Sequence, residues 1–481
     1  MQLVKILSVL LSKPKLSLRK RGFSINKYLC LHRCIFAEAS FSTSGFSHQK
    51  MADMPLQNET EKDEQDKSES KHGLLPGPKR KVALLLAYCG ENYFGMAMNR
   101  GDRERKTIEG SLIRALVDAK LVPENCWDHP NKMSYKVASR TDKGVSTCGQ
   151  VVSLKMVFHE NAAELINEKL PHDIRVLGVK RTTQGFSAQY WAGARTYSYT
   201  LPTYAFASSD EEKPQYRISP EKLKSIQSFL YRYKGTHSYH NFTSGKRMGD
   251  MSAHRYIMEF EHETPFLQHD IEFMTLKLKG QSFMIHQIRK MVGLMIAIVG
   301  DHAEEHYFNM AFSEPLVDIP KAPGTGLVLE RVHYDTYNKK FSHLHGGIDF
   351  SEVESEVEQF RQTRILPYIY LSEVEEEGMM EWLPTLSCHD FTGERAREDW
   401  KKMNEKKNAL ESNGDVDASA QEKLDNQDFN ANDDFSNTNL KQTHTDLKRK
   451  IDQKEDTSIS KMFEPAEKKA RNDIIDVNEE S

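Results

Sequence analysis

From Gln150 to Phe158 the chain reads QVVSLKMVF, with Val152, Leu154, Met156 and Phe158 on one parity and Ser153 and Lys155 on the other. A period of two puts an apolar set on one face of an extended segment, so a half-buried strand is predicted here. The residues before it, ASRTDKG (138–144), crowd charged and turn-forming side chains against a glycine and read as a loop. A charged turn therefore opens onto a strand, and Gly144 can adopt a backbone conformation that fixes how Asp142 projects from the strand mouth. An ordinary aspartate turn is the competing explanation of this stretch.

The rest of the chain supplies strands and helices in mixed order. KVALLLAY (81–88) is an apolar run of strand length, and CGENYFGM (89–96) is a turn bounded by glycines. In TIEGSLIRALVDAKLV (107–122) Ile108, Leu112, Leu116, Val117 and Leu121 recur with a helical period. DIRVLGVKRT (173–182) and ARTYSYTLPT (194–203) read as strands, the latter with Arg195, Tyr197 and Tyr199 on one side. EKLKSIQSFLYRYKG (221–235) is an amphipathic helix ending at a glycine, EFMTLKLKG (272–280) alternates, and SFMIHQIRKMVGLMIAIVG (282–300) is a largely apolar helix. Strands adjacent in sequence and helices between them give an α+β class rather than a doubly wound sheet. No Gly-x-Gly-x-x-Gly and no Walker Gly-Lys-Ser/Thr occurs, so no nucleotide cofactor is indicated.

Charge divides the chain. Lys+Arg against Asp+Glu is 9 to 1 over residues 1–50, 3 to 7 over 51–71, 36 to 29 over 72–345 and 18 to 33 over 346–481. A basic body beside an acidic tail suits a nucleic-acid partner for the body. The first acid is Glu38, and the basic, Leu- and Ser-rich start is predicted to be a mitochondrial leader over 1–50; a secretory signal is the rival, with ILSVLL as its short apolar run. Met51 and Met54 follow it, and initiation there would give a form without the leader. Residues 51–78 are predicted to be a disordered linker, and 401–481 a disordered acidic tail carrying the basic clusters Lys448–Lys450 and Lys468–Arg471, candidates for nuclear import. Mitochondrion and nucleus are the expected locations. Six cysteines show neither a Cys-x-x-Cys nor zinc-finger spacing, so reduced thiols and no metal site are expected. The longest apolar stretch, MVGLMIAIVG, falls short of the roughly 20 residues of a membrane span.

A second oddity bears on Asp142. Arg289 and His286 sit in the apolar segment after KGQSF. A guanidinium on a buried helix requires a partner, and Asp142, another acid or an RNA phosphate would serve.

At these residues the chain resembles a known family. SRTDKGVSTCGQVVSLK is similar to the active-site motif of the TruA family of tRNA pseudouridine synthases, whose core is Arg-Thr-Asp-x-Gly-Val. AYCGENYFGM, ARTYSYTLPT, YKGTHSYHNFTSGK, GQSFMIHQIRKMVGLMIAIV and KAPGTGLVLERVHYD match in order, so the resemblance spans about 80–337. Gly95-Met96, HNFTS and APGTGLVLE resemble the eukaryotic pseudouridine synthase 1 branch. Ala97, Thr147, Cys148 and Gly193 depart from the family's usual wording.

The resemblance implies a fold of two ferredoxin-like halves sharing one long mixed sheet around an RNA cleft. Residues 79–345 would form this catalytic domain in two lobes, with 346–400 an accessory helical segment. It implies an isomerase that breaks the uridine N1–C1′ bond and joins C5 to C1′ without a cofactor. Asp142 would be the catalytic carboxylate, either attacking C1′ or acting on the sugar, and Arg289 its counter-ion. The uridine must leave its stack to reach it; Tyr197 would support the flipped base, with Tyr199 facing the same way. Arg140 would sit behind the flipped nucleotide. Lys143, Arg195, Lys234 and Lys290 are candidates for phosphate contacts, and each is equally explained as a solvated surface charge. The expected partner is tRNA, with other structured RNA as a further class, and a monomer is expected. A catalytically inactive RNA-binding or RNA-folding protein on the same scaffold, and an N-glycosidase releasing uracil, are the rival classes.

Overall fold

A computed structural model describes residues 73–402, apart from 100, 101, 103, 209–214, 395–397, 399 and 400. The predicted leader, most of the linker and the tail beyond 402 lie outside the described residues. The first core is built by β1 (Lys79–Tyr88), α1 (Ile108–Asp118), β2 (Lys136–Val137), β3 (Ser146–Val157), α2 (Ala162–Asn167) and β4 (Ile174–Arg181). The chain continues through β5 (Ala194–Pro202), α3 (Pro220–Tyr233), β6 (Gly235–Ser238), β7 (His254–His262), β8 (Phe266–Gln268), β9 (Ile271–Gly280), α4 (Gln287–Val299), α5 (His306–Ser313), β10 (Leu327–His333) and α6 (Asp335–His345). Short helices α7 (Glu354–Phe360), α8 (Leu366–Glu375) and α9 (Gly378–Trp382) follow, with a π-turn at Arg361–Ile365 joining the first two.

All ten strands belong to one mixed sheet in the order β4-β1-β3-β10-β5-β9-β7-β6, with β2 on β3 and β8 on β9. Every pairing is antiparallel except β10 with β3, which run parallel and meet at only Val328–Ser146 and Leu329–Thr147. Two large cores lie about this short seam, the second reaching across it to Ala83, Leu85 and Val151. On one side, Val82, Leu84 and Leu86 of β1 and Val152, Leu154 and Met156 of β3 meet Ile108, Leu112 and Leu116 of α1. The helix starts where the Thr107 hydroxyl accepts the Gly110 N–H at 3.2 Å, a cap that contributes about 1 kcal/mol. On the other side, Tyr197, Tyr199 and Leu201 of β5, Leu276 and Leu278 of β9, and the apolar residues of α3 and α4 form the second core.

The alternation in QVVSLKMVF is real, but the strand is not half-buried. β3 begins at Ser146 and is buried throughout except at Lys155. It lies centrally, so its even residues meet α1 while Val151 joins the second core and the Ser153 hydroxyl accepts the Ala188 N–H at 3.0 Å. The helix expected over 107–122 stops at Asp118, because Lys120 turns into a left-handed conformation at φ 56°. The helix expected over 282–300 begins only at Gln287. His286 is left-handed at φ 61°, and the Gln287 side chain accepts the Met284 N–H at 2.9 Å to close that turn.

Candidate active site

The turn that carries Asp142 is pinned on both flanks. Gln150 on β3 grips Ser139 twice, accepting its N–H at 3.2 Å and donating to its carbonyl at 2.6 Å. Thr141 is buried, its hydroxyl 2.7 Å from that of Tyr88 and its carbonyl accepting the Met96 N–H at 3.1 Å. Between these fixed points Asp142 stays a quarter exposed. Gly144 follows in a left-handed conformation at φ 77°, and the Val145 N–H reaches back to the Asp142 carbonyl at 3.3 Å to close the turn.

Across the seam, α4 brings Arg289 to this carboxylate. Its Nη1 lies 3.3 Å from Asp142 Oδ2. Its Nε donates to the Ala322 carbonyl at 2.7 Å, while its own carbonyl accepts the Ala322 N–H at 3.1 Å. The guanidinium is thus aimed by a two-point tie to the loop before β10. That loop presses on the aspartate turn: a Cβ on Gly324 would stand 2.9 Å from the Lys143 carbonyl oxygen and 3.7 Å from Arg289 Cζ, so only glycine fits without displacement. His286 Nε2 lies 3.6 Å from the same Asp142 oxygen, beyond a direct hydrogen bond. The left-handed turn at His286, which breaks the expected helix, brings that ring beside the carboxylate.

Tyr197 stands on β5 facing the same space. Its hydroxyl is 2.7 Å from that of Ser139, and Phe283 meets its ring edge-on with centroids 5.2 Å apart. Burial holds its hydroxyl in the protonated form, and the negative charge of Asp142 acts in the same direction. Tyr199 lies two residues along the same face but is fully buried, donating to the Pro323 carbonyl at 2.7 Å. It is a pillar of the loop that holds Arg289.

The remaining cations divide. Arg140 is exposed beside Asp142. Lys143 is exposed, its ammonium 4.9 Å from the centroid of Phe94, an aromatic about half exposed with Arg105 also over its ring at 5.2 Å. Arg195 is committed to the main chain, donating to the carbonyls of Ala138 at 2.9 Å, Gln281 at 3.0 Å and Ala192 at 3.3 Å. Lys290 donates to the Asn241 carbonyl at 3.2 Å. Lys234 precedes the edge strand β6, five strand steps from β3, roughly 24 Å at ordinary spacing, with its ammonium over the exposed Tyr231 ring.

The segment after 346 also reaches this region. Tyr368 on α8 is bonded through its hydroxyl to Thr325, and that hydroxyl lies 3.6 Å from where a Cβ on Gly144 would be. Burial pushes the Tyr368 hydroxyl up to about 12. The C-terminal helices therefore buttress the aspartate turn and the Arg289 loop together, a role the sequence alone did not reveal because it depends on one tyrosine in a 55-residue stretch of unremarkable amphipathic composition. Phe94, Ser139 and Gln150 were likewise missed; a glutamine in a strand interior was the only signal. Among the described residues no group of three or more His, Cys, Asp or Glu side chains is placed to hold a metal ion, and no helix is long and apolar enough to cross a membrane.

Chemistry at a glycosidic carbon needs an ionised carboxylate within reach and a wall against which the displaced base can rest. Asp142 and Tyr197 stand where a carboxylate and such a wall would be needed. A family model for tRNA pseudouridine synthase matches residues 230–335. The chain is 48% identical over 320 residues to the pseudouridylate synthase 1 homolog of Mus musculus, covering 66% of this chain and 76% of that one. It is 47% identical over 315 residues to the Homo sapiens pseudouridylate synthase 1 homolog, covering 65% and 74%. The tRNA pseudouridine synthase 1 of Yarrowia lipolytica is 33% identical over 404 residues, covering 66% and 75%. The chain belongs to the tRNA pseudouridine synthase family.

Proposed function

We propose that Asp142 is the carboxylate through which this tRNA pseudouridine synthase converts uridine in tRNA to pseudouridine. The observation that carries the reading is the Arg289–Asp142 contact across the seam, with Tyr197 facing the same space. The target uridine leaves its stack and enters beside Tyr197. As the N1–C1′ bond breaks, positive charge develops on the sugar, and the Asp142 carboxylate meets it either as nucleophile at C1′ or as base on the sugar. The freed uracil turns within the site and rejoins C1′ through C5. The proton leaves C5 and N1 gains one, so the product is an isomer of the substrate. Arg289 supplies the counter-charge that keeps a part-buried carboxylate in place.

Arg140 and Lys143 flank Asp142 on the exposed side, which supports a role in holding the phosphates around the flipped nucleotide. Asp142, Tyr197, His286 and Arg289 all come from one chain, which supports action as a monomer. Recognition through backbone phosphates and a flipped base is not limited to tRNA, so other structured RNA forms a second substrate class. Residues 1–50, with nine basic residues and one acid, are read as a mitochondrial leader, and initiation at Met51 as the source of a nuclear form.

The direct test incubates purified protein with unmodified tRNA transcripts and with structured RNA of other kinds, and maps pseudouridine by chemical reactivity. Pseudouridine at discrete positions is expected. Tight binding without product would indicate an RNA-binding protein on this scaffold, and release of free uracil an N-glycosidase.

A further inference from the structure

Within Tyr93–Met96 only Phe94 faces solvent. Its three neighbours are buried, whereas Phe94 is 48% exposed. The loop beneath it is fixed at several points. The Tyr93 hydroxyl donates to the Asp173 carboxylate at 2.7 Å, and the Phe94 N–H to the Lys106 carbonyl at 2.9 Å. The Met96 N–H donates to the Thr141 carbonyl at 3.1 Å, and the Gly95 carbonyl accepts the Ile108 N–H at 3.2 Å. Gly95, at φ 100°, lies so close to the aspartate turn that a Cβ there would stand 2.7 Å from the Thr141 carbonyl oxygen and 3.2 Å from the Asp142 carbonyl carbon. Phe94 and Asp142 are therefore no more than about 10 Å apart at their Cα atoms. Main chain packed on main chain sets this ring beside the carboxylate.

Two cations lie over the ring. Lys143, next to Asp142, brings its ammonium to 4.9 Å from the centroid, and Arg105 its guanidinium to 5.2 Å. Both side chains are exposed, and Arg105 also meets Asp102 through its Nε at 2.7 Å. A half-exposed aromatic on a fixed loop does little for the fold, since much of its apolar surface stays in water. The grouping suits RNA instead. Every base has a flat face that stacks on an aromatic ring, and each phosphate beside it takes a cation. Exposed cation–π contacts are weak and charge-assisted bonds to phosphate are stronger, so both cations can swing from ring to backbone and open the face of Phe94. The loop is already set, so stacking on it orders little that was free.

We propose that Phe94 is a stacking platform for the base next to the target uridine in the RNA chain, with Lys143 and Arg105 taking the phosphates on either side of that base. When the uridine leaves its stack, its neighbour loses a stacking partner, and the Phe94 ring replaces that partner beside Asp142. The inference rests on the reading of this cleft as an RNA site and names the contact that holds the adjoining base. Stacking tolerates any base, so Phe94 serves affinity and register rather than sequence.

The test compares full-length wild-type protein with F94A, F94L, F94W and R105Q on an unmodified tRNA transcript. Affinity is measured against salt concentration, and pseudouridine formation is followed separately. F94A is expected to bind about tenfold more weakly, with an unchanged salt slope and the loss falling on KM rather than kcat. F94W is expected to bind at least as well as wild type, and F94L to behave as F94A, because leucine covers apolar area but offers no flat face. R105Q is expected to lower the slope of log affinity against log salt by about 1. On a transcript made abasic at both neighbours of the mapped uridine, F94A and wild type are expected to bind equally. Wild-type affinity and KM in F94A or F94L overturn the proposal, as does an unchanged salt slope in R105Q or a tenfold loss in F94A that persists on the abasic transcript. A lower melting temperature in F94A with unchanged affinity would make the ring structural and overturns it too. If wild-type protein binds tRNA about tenfold more tightly than F94A yet makes no pseudouridine, the catalytic reading fails and the stacking contact stands.

Discussion

Arg289 reaches Asp142 only after being tied twice to Ala322, once through its side chain and once through its main chain. The carboxylate comes from the turn before β3 and the guanidinium from α4, on opposite sides of the β3–β10 seam. Their 3.3 Å contact is therefore a tertiary measurement of how the two sides meet.

Asp142→Asn retains shape and hydrogen-bonding capacity but loses the charge and the nucleophile. Pseudouridine formation is expected to fall below detection, with tRNA affinity kept within a few-fold because phosphate contacts elsewhere dominate binding. Breaking a fully buried pair would cost about 3–5 kcal/mol. The Asp142 side chain is a quarter exposed, so solvent screens the pair and a loss of about 1–2 kcal/mol or less is expected. Chemical denaturation alongside the activity assay checks both, and a folded Asp142→Asn protein with a normal rate removes Asp142 from the chemistry.

Arg289→Lys keeps the charge but cannot place one nitrogen on Ala322 and another on Asp142. The rate at saturating tRNA is expected to drop at least about 100-fold, near the range for loss of a positioned electrostatic partner. A lysine variant within threefold of wild type would show that bulk charge suffices and that the fork geometry is dispensable.

Gly324→Ala introduces a Cβ 2.9 Å from the Lys143 carbonyl without asking the backbone for an unusual conformation. The two loops must part by a few tenths of an ångström, and they carry Asp142 and the Arg289 tie. A fall in kcat of about tenfold with a small change in melting temperature is expected, since near-attack geometry is sensitive to such shifts. Unimpaired turnover would mean that the loops separate without moving the carboxylate.

Glu373 on α8 accepts from the buried Tyr204 hydroxyl and from the Met379 N–H, and burial pushes it up to about 7. Glu377 adds to that rise, while the Met379 and Met380 N–H groups oppose it. The folded state thus keeps a proton that the unfolded chain releases near pH 4.3. Its contribution to stability is full below that pH, declines as pH rises towards 7, and is constant above. The total decline is on the order of 3 kcal/mol. Glu373→Gln is expected to lose this slope, so the stabilities of the two proteins should diverge in favour of the variant between pH 5 and about 7 and run parallel above it. Curves parallel below about pH 7 as well would place the ionisation elsewhere.

A reporter fused to residues 1–50 is expected to enter mitochondria, and a protein starting at Met51 to accumulate in the nucleus. Fluorescence of the two fusions distinguishes the outcomes, and a leader fusion left in the cytosol removes the import assignment.

Much of this arrangement was legible before the fold. The turn at Asp142 and the stripe of Arg195, Tyr197 and Tyr199 followed from local pattern, because a two-residue period and a glycine-bounded turn leave few alternatives. Arg289 was suspected because a guanidinium in an apolar helix requires a partner, and its identity then needed only the right contact. What escaped was non-local. The left-handed break at His286 is invisible in a run that reads as continuous helix. β10 meets β3 through only two residue pairs, too few to leave a periodic signature. Arg195 looked like a phosphate ligand by charge, and only the fold reveals the three carbonyls that occupy it.

The two-pair seam between β10 and β3 has a bearing on quality control of the enzyme. The first core forms within one side, whereas the second takes Ala83, Leu85 and Val151 from β1 and β3 across the seam, so apolar burial draws the two sides together and the reactive pair reports whether they meet in register. Spectroscopic helix content is therefore blind to a small error of docking, while turnover is not. Variants at the joint, such as at Gly149, where any Cβ would collide with the Glu330 carbonyl, are the place to look for chains that are folded, soluble and silent.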